Sequence, residues 1–145
     1  MAAILIVDDE AEIRDLMRRV LVREGYQVDV AVHGAAALDA VQVRSYDLVI
    51  CNVRMPVMDG PTFYTHVQQM YPRLANRFLF CTGDIISLSV RSFLLSTGQP
   101  VLAKPFSIQS LCAMVRRALD GGRDADLCIA PPVEELFMAS CYNVA

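Results

Sequence analysis

Short apolar runs alternate with longer segments of helical periodicity along most of this chain, and that alternation restricts the possible folds more than any other feature. The apolar run at residues 4–7, for example, is followed over residues 12–24 by apolar side chains spaced three and four positions apart, which line one face of a helix. Gly25 is placed to end that helix. Repeated strand-then-helix units are typical of an α/β domain with a parallel sheet.

The alternation predicts five strands, each followed by a helix. Right-handed crossovers that cover both faces of a parallel sheet produce a doubly wound sandwich, in which ligands bind beyond the carboxyl ends of the strands. A functional site is therefore expected where the strands end. The predicted strands are residues 4–7, 27–32, 47–51, 78–81 and 101–103, and the predicted helices are residues 12–24, 35–43, 61–70, 86–96 and 108–119.

Composition excludes several classes of protein. With 145 residues, of which 54% are hydrophobic and 20% charged, the chain has enough apolar material for one folded domain and is not intrinsically disordered. No uninterrupted apolar run reaches the roughly 18 residues of a membrane span, so we expect no membrane partner. The net charge of -3 argues against the concentrated basic face that nucleic-acid binding needs, so we expect no nucleic-acid partner either.

The cysteines and the start of the chain point to a reducing compartment. The five cysteines, an odd number, show neither CxxC nor zinc-finger spacing, and we interpret them as reduced thiols that pack as small apolar groups. The sequence passes from Met1-Ala2-Ala3 directly into an apolar run without the segments of a secretory signal, so we expect a cytoplasmic protein. The cysteines are Cys51, Cys81, Cys112, Cys128 and Cys141.

A change in composition after Gly122 divides the chain into a domain at residues 1–122 and a C-terminal extension at residues 123–145. Part of the extension has the spacing of a short amphipathic turn that packs on the domain or on a partner. A loosely held extension is the alternative. The apolar residues with that spacing are Val133, Leu136 and Phe137.

Polar residues collect at the predicted ends of four strands. Asp8 and Asp9 follow the first strand, Asn52 the third, Thr82 the fourth and Lys104 the fifth. Adjacent acids after a strand can be a helix N-cap pair that satisfies the free amides of the first turn, and that interpretation is open for Asp8 and Asp9. Because four strand ends carry polar groups, a binding site is the favoured interpretation. A crevice that contains carboxylates, an amide, a hydroxyl and an ammonium suits Mg²⁺ and a phosphoryl group.

Five segments in this chain have the order and spacing of the signatures of one known family. They are Leu5-Ile6-Val7-Asp8-Asp9-Glu10, Tyr46-Asp47-Leu48-Val49-Ile50, Met55-Pro56-Val57-Met58-Asp59-Gly60, Thr82-Gly83 and Lys104-Pro105-Phe106. On these segments the sequence resembles the receiver domain of two-component response regulators, the CheY-like receivers, over about residues 3 to 120. The part from Thr82 to Phe106 is especially similar to receivers attached to hybrid histidine kinases.

The resemblance implies a flavodoxin-like (βα)5 sandwich with a five-stranded parallel sheet of order 2-1-3-4-5. It implies a receiver module of two-component or phosphorelay signalling, not an enzyme, with a cognate histidine kinase or another signalling protein as partner. It also implies a cis peptide bond between Lys104 and Pro105. We expect homodimer contacts through the extension or through the face of the fourth helix, fifth strand and fifth helix. Residues that mark this face are Phe93, Leu94, Leu95, Val101 and Met114.

The resemblance also assigns roles to the residues at the strand ends. Asp8 and Asp9 match the metal-binding acids of the family, and Arg54 matches the residue whose backbone carbonyl binds the metal. Thr82 matches the hydroxyl that meets the phosphoryl oxygen, and Lys104 matches the ion-pairing ammonium. These roles imply an Mg²⁺ cofactor.

Asn52 stands where the family has its phosphate-accepting aspartate. A carboxamide has no anionic oxygen and is a poor nucleophile, so we expect no phosphate acceptance here and a receiver that acts through protein–protein contacts. Two unit charges about 5 Å apart at an effective dielectric near 20 repel by roughly 3 kcal/mol, so the missing carboxylate relieves repulsion and weakens Mg²⁺ binding. We expect the Asn52 amide to donate to Asp8 or Asp9 while Lys104 pairs with the other acid.

Two alternatives remain open. The first is a conventional phosphate-accepting receiver that carries an engineered Asp→Asn change, although Val101, where the family commonly has an aromatic residue, favours natural divergence. The second belongs to another class, a hydrolase like the haloacid-dehalogenase phosphatases. Those enzymes need a nucleophilic aspartate in a DxD arrangement after the first strand, which Asp8-Asp9-Glu10 does not supply.

Overall fold

A computed structural model describes residues 1–120 and contains five strands and five α-helices in alternation. The elements are β1 (Ala3–Val7), α1 (Ala11–Arg23), β2 (Gln27–Ala31), α2 (Gly34–Val43), β3 (Leu48–Asn52), α3 (Gly60–Met70), β4 (Phe78–Thr82), α4 (Leu88–Thr97), β5 (Val101–Ala103) and α5 (Ile108–Leu119). All neighbouring strands are parallel, and the sheet order is β2-β1-β3-β4-β5. The predicted doubly wound sandwich of order 2-1-3-4-5 is confirmed.

The three central strands β1, β3 and β4 are buried along their whole length, which explains why their sequences are nearly continuous apolar runs. One face of the sheet packs against Met17 and Leu21 of α1 and against Leu111 and Val115 of α5. The opposite face packs against α2, α3 and α4. Aromatic rings fill much of that second layer, and those in edge or tilted contact are Phe63, Tyr64, Phe78, Phe80 and Phe93.

Side-chain caps fix the starts of three helices. His33 Nδ1 accepts a hydrogen bond from the Ala36 amide at the start of α2. Asp59 accepts from the amide of Thr62 at the start of α3, and Ser107 does the same for α5. Each cap satisfies an amide that has no partner within its own helix. The cap at Asp59 ends the loop that follows β3.

Most predicted ends agree with the structure to within one residue, and two of the differences have a local cause. Asp47 lies outside β3, because its carboxylate accepts from the amide of Ala3 at 2.8 Å. Helix α4 begins at Leu88 rather than residue 86, because the Asp84 carboxylate accepts from the Ser87 amide and holds a turn there. A short 3₁₀ helix at Leu74–Asn76 was not predicted.

The remaining sequence predictions fall into two groups. Within residues 1–120, Cys51, Cys81 and Cys112 are free and buried, and burial raises the pKa of Cys81 to about 12. No helix in this part of the chain is long and apolar enough to cross a membrane. The extension at residues 123–145 lies outside the described residues, together with Cys128, Cys141 and the predicted amphipathic turn at Val133, Leu136 and Phe137.

Candidate functional site

Three polar side chains are buried in residues 1–120, and all three lie at the carboxyl ends of central strands. Asp8 follows β1, Asn52 is the last residue of β3, and Thr82 is the last residue of β4. The sheet order changes direction between β1 and β3, and α/β proteins of this type bind ligands at that crevice. The strand ends therefore gather polar groups at the position where the fold places its site.

An inner cluster of Asp8, Asn52 and Lys104 forms the centre of this site. Lys104 Nζ donates to Asp8 Oδ2 at 2.9 Å, to Asn52 Oδ1 at 3.3 Å and to Glu10 Oε1 at 3.3 Å. Burial on its own lowers the pKa of Lys104, but the hydrogen bonds and attraction from Asp8 and Glu10 outweigh burial and raise it. Lys104 is therefore a charged partner for a carboxylate that is 0% exposed.

The Asn52 carboxamide has a defined orientation. Its Nδ2 donates to Asp9 Oδ1 and to the Arg54 carbonyl oxygen, both at 3.0 Å, while Oδ1 accepts from Lys104. A flipped amide would set its oxygen against two acceptors and its nitrogen against an ammonium, so the hydrogen-bond network selects the observed orientation. The expected arrangement, in which the amide donates to one acid and Lys104 pairs with the other, is confirmed.

The loop after β3 is held tightly against this cluster. A Cβ on Gly60 would lie 2.6 Å from the Asn52 carbonyl oxygen, so only glycine allows this close approach. Val57 has a φ of 68° and is the central residue of a γ-turn closed by a 2.8 Å hydrogen bond from the Met58 amide to the Pro56 carbonyl. A β-branched residue is strained in that conformation, and its side chain is 81% exposed.

An outer cluster of Arg54, Asp84 and Ser87 lies beside the inner one. The Arg54 guanidinium contacts Asp84 Oδ2 at 2.7 Å and donates to Ser87 Oγ at 3.2 Å. Thr82 faces this part of the site, since its hydroxyl accepts from the Asp84 amide at 3.0 Å. Arg54 thus contributes its carbonyl to the inner cluster and its side chain to the outer cluster.

The structure decides several sequence interpretations. The N-cap interpretation of Asp8 and Asp9 is wrong: α1 has Glu10 at its N-cap with no side-chain cap, and Asp8 Oδ1 accepts from the Glu10 amide. The Lys104–Pro105 peptide bond is cis, as expected. Sequence reasoning missed the contact of the Glu10 side chain with Lys104, although Glu10 directly follows the two aspartates.

Of the residues expected to mark the face of α4, β5 and α5, only Leu95 is exposed. Leu94 and Val101 belong to the core, while Phe93 and Met114 are partly buried and pack against it. Besides Leu95, the exposed large apolar side chains of α4 and α5 are Leu88 and Ile108.

Comparison with known proteins identifies the family. The family model described as response regulator receiver domain matches residues 4–116. The chain belongs to the response regulator receiver domain family. Receiver domains are generally non-catalytic modules of two-component signalling that interact with histidine kinases and other signalling proteins.

Curated relatives of this receiver domain include two larger proteins. The transcriptional regulatory protein SpaR of Bacillus subtilis is 35% identical over 121 residues, which cover 82% of this chain and 52% of that protein. The sensor kinase CckA of Brucella abortus is 31% identical over 121 residues, which cover 82% of this chain and 13% of that protein. The chain therefore spans only part of the length of either relative.

Solved structures share the fold of this receiver domain along nearly their whole chains. The chemotaxis protein CheY4 of Vibrio cholerae is 32% identical and superposes with a TM-score of 0.74. The match covers 82% of this chain and 99% of that chain. A CheY-like receiver domain protein from Methanospirillum hungatei is 26% identical, with a TM-score of 0.76 over 83% of this chain and 95% of that chain.

Receiver domains typically bind Mg²⁺ at the phosphorylation site, but the donors in this receiver domain do not fit that ion as they stand. Asp8 Oδ1 accepts from the Glu10 amide, and Asp8 Oδ2 accepts from Lys104. Asp9 Oδ1 and the Arg54 carbonyl both accept from Asn52. Within residues 1–120 no three His, Cys, Asp or Glu side chains are grouped as metal ligands would be.

Proposed function

We propose that this receiver domain does not accept a phosphoryl group at residue 52 and takes part in two-component signalling as a protein-interaction module. The observation that carries this proposal is a carboxamide at the acceptor position whose nitrogen and oxygen are both hydrogen-bonded inside the protein. Asn52 is also buried, with 8% of its surface exposed. The domain thus keeps the residues that surround the acceptor and lacks the acceptor itself.

The chemistry of the carboxamide supports this proposal. Transfer to a receiver needs an anionic oxygen in line with the phosphorus of the donor. Asn52 Oδ1 is uncharged and already accepts from Lys104, while Nδ2 has no free lone pair and donates to Asp9 and Arg54. Neither polar atom is a competent nucleophile at this position.

Because the Asn52 carboxamide neither ionises nor accepts a phosphoryl group, the charge at residue 52 does not change. A signal must then reach this domain through the binding or release of a partner rather than through a covalent change. We assign that partner to the class of histidine kinases or other signalling proteins, and we place the domain in the cytoplasm with no enzymatic turnover. Free buried thiols at Cys51 and Cys81 support a reducing compartment.

The face made by α4, β5 and α5 is the surface that we assign to partner or homodimer contact. The exposed apolar residues of α4 and α5, which are Leu88, Leu95 and Ile108, support that assignment. The extension at residues 123–145 is the second assigned surface, as a unit separate from the domain at residues 1–122. Sedimentation of the full chain and of a Leu88→Ser, Leu95→Ser variant tests the first surface. If this face mediates self-association, the mass of the sedimenting species is lower for the variant.

Intact mass spectrometry after incubation with acetyl phosphate and Mg²⁺ tests the proposal. The full chain and its Asn52→Asp variant are compared side by side, with Lys104→Met added to Asn52→Asp as a control for the retained machinery. We expect no added phosphoryl group on the unsubstituted chain. A label on that chain would overturn the proposal, because another residue would then be the acceptor.

The Asn52→Asp variant distinguishes the two origins of the asparagine. If the variant gains a labile phosphoryl group that Lys104→Met abolishes, the site lacks only its acceptor, which favours a recent or engineered change. If the variant stays unlabelled, the site has diverged more deeply. Both results agree with a receiver that does not accept phosphate at residue 52.

A further inference from the structure

We propose that the side-chain amide of Asn52 takes the place of a divalent cation in this receiver domain and keeps Mg²⁺ out. This inference rests on the proposed function and extends it to the regulation of the same site. Asn52 Nδ2 lies 3.0 Å from Asp9 Oδ1 and 3.0 Å from the Arg54 carbonyl oxygen. Those two oxygens are among the groups expected to bind a metal, and here one nitrogen bridges them.

The bridging nitrogen satisfies these oxygens in the way that a cation would. An amide NH₂ has two N–H donors, and both are used, one on a carboxylate and one on a carbonyl. A hydrogen bond to a carboxylate is stronger than one between neutral groups. A metal ion that entered this position would first have to displace the amide from both acceptors.

The third expected metal-binding group is also satisfied by the protein. Asp8 receives the Glu10 amide at 2.9 Å on Oδ1 and the Lys104 ammonium at 2.9 Å on Oδ2. Because Asp8 is 0% exposed, these two donors replace the water or cation that its carboxylate would otherwise need. All three groups therefore have donors without a metal.

Two causes of weak Mg²⁺ binding can be separated by experiment. If missing charge is the only cause, Asn52→Ala should bind Mg²⁺ no better than the unsubstituted chain, since alanine is equally neutral and offers no oxygen. If the amide blocks the metal position, Asn52→Ala frees the Asp9 carboxylate and the Arg54 carbonyl and should bind Mg²⁺ more tightly. A gain in Mg²⁺ affinity by Asn52→Ala is therefore predicted by only one of the two causes.

The experiment is a calorimetric titration of the full chain with MgCl₂ for the unsubstituted chain, Asn52→Ala and Asn52→Asp. Asn76→Ala is the matched control, because Asn76 is exposed and lies in the 3₁₀ helix outside the site. We expect Asn52→Ala to bind about tenfold more tightly than the unsubstituted chain, which corresponds to about 1.4 kcal/mol. We expect Asn76→Ala to leave the affinity unchanged. Equal or weaker binding by Asn52→Ala would overturn the inference.

Nuclear magnetic resonance of the unsubstituted chain provides a second measurement that needs no substitution at residue 52. We expect the Asn52 side-chain NH₂ signals to be protected from exchange and to stay in place at Mg²⁺ concentrations that saturate Asn52→Asp. Movement of these signals with Mg²⁺ at such concentrations would contradict the inference. If Asn52→Ala does not fold, Asn52→Gly replaces it in the titration, because glycine is equally neutral and offers neither a donor nor a side-chain oxygen.

Failure of the inference and failure of the proposed function give different results. An unsubstituted chain that binds Mg²⁺ as tightly as Asn52→Asp, yet gains no phosphoryl group, would refute the exclusion of Mg²⁺ by the Asn52 amide. The proposed function would remain intact. A chain that is labelled by acetyl phosphate would refute the proposed function whatever its Mg²⁺ affinity.

Discussion

The inner and outer clusters occupy the same edge of the sheet and each contains a short ion pair, but their surroundings differ. Lys104 and Asp8 are 2.9 Å apart with side chains 12% and 0% exposed, whereas Arg54 and Asp84 are 2.7 Å apart with side chains 63% and 37% exposed. A buried charge that loses its partner is strongly destabilising, while an exposed pair contributes about 0–1 kcal/mol. Burial rather than distance therefore separates the two clusters in energy.

The largest expected effect comes from removing the cation of the inner cluster. Lys104→Met leaves the buried Asp8 carboxylate without its charged partner, and we expect a loss of about 3–5 kcal/mol in the free energy of unfolding, measured by urea denaturation at neutral pH. Adding Asp8→Asn to Lys104→Met should restore part of the loss, because no charge then remains unpaired. A loss from Lys104→Met below about 1 kcal/mol would remove the distinction between the clusters.

Alkaline pH should weaken the same interaction, because it removes the charge of Lys104. The pKa of Lys104 in the folded protein is raised above its ordinary 10.5, so its contribution is complete below that pH and is lost as pH rises through the folded-state pKa. The stability difference between the unsubstituted chain and Lys104→Met should therefore shrink above pH 10.5. Tyr46 titrates in both proteins and cancels in the difference, because burial, Asp29 and Arg44 rather than Lys104 shift its pKa. The Cys81 thiol does not cancel, since burial raises its pKa to about 12 and Lys104 lowers it, so the comparison is kept below pH 12. A difference that stays constant at high pH would contradict the charged role of Lys104.

The loop between the clusters should respond to relief of backbone strain. Val57→Gly removes a β-branched side chain from a positive φ without loss of packing, so we expect a gain of about 1 kcal/mol in thermal or urea unfolding. Val57→Ala keeps the strained backbone and should gain much less. If glycine and alanine give equal stability, the turn is not strained.

The smallest expected effect lies in the outer cluster. Arg54→Ala removes the exposed pair with Asp84 but keeps the carbonyl that accepts from Asn52, so we expect a change of about 0.5 kcal/mol or less. Urea unfolding at low and high salt checks this, because screening should abolish the small difference. A loss comparable to that of Lys104→Met would show that exposure does not rank the two clusters.

Most of the fold could be predicted because its signals are local and repeated. Buried parallel strands such as β1 and β3 require apolar runs, and helices such as α5 require apolar spacing of three and four, so both can be identified in the sequence. The ends of elements were less accurate where side chains compete for backbone amides. Asp47 and Asp84 both do so, and neither competition has a periodic signal.

The site was predicted less completely, for a physical reason. The positions of Asp8, Asn52 and Lys104 follow from strand order, and their convergence was expected. Which acid receives the Asn52 amide and which receives Lys104 was left open between Asp8 and Asp9, because the answer depends on distances of a few tenths of an ångström. The resemblance placed the Arg54 carbonyl at the site as a metal ligand, but the sequence did not predict that the Asn52 amide would donate to both Asp9 and this carbonyl.

The most direct measurement is urea unfolding of Asn52→Asp in the presence of a chelator, with the exposed Asn76→Asp as its matched control. A carboxylate at residue 52 loses the donor to Asp9 and the Arg54 carbonyl and adds charge beside Asp8, so we expect it to be less stable by roughly 2 kcal/mol. We expect Asn76→Asp to change stability by less than about 0.5 kcal/mol. An Asn52→Asp variant that is equally or more stable without metal would contradict a site completed by its own asparagine.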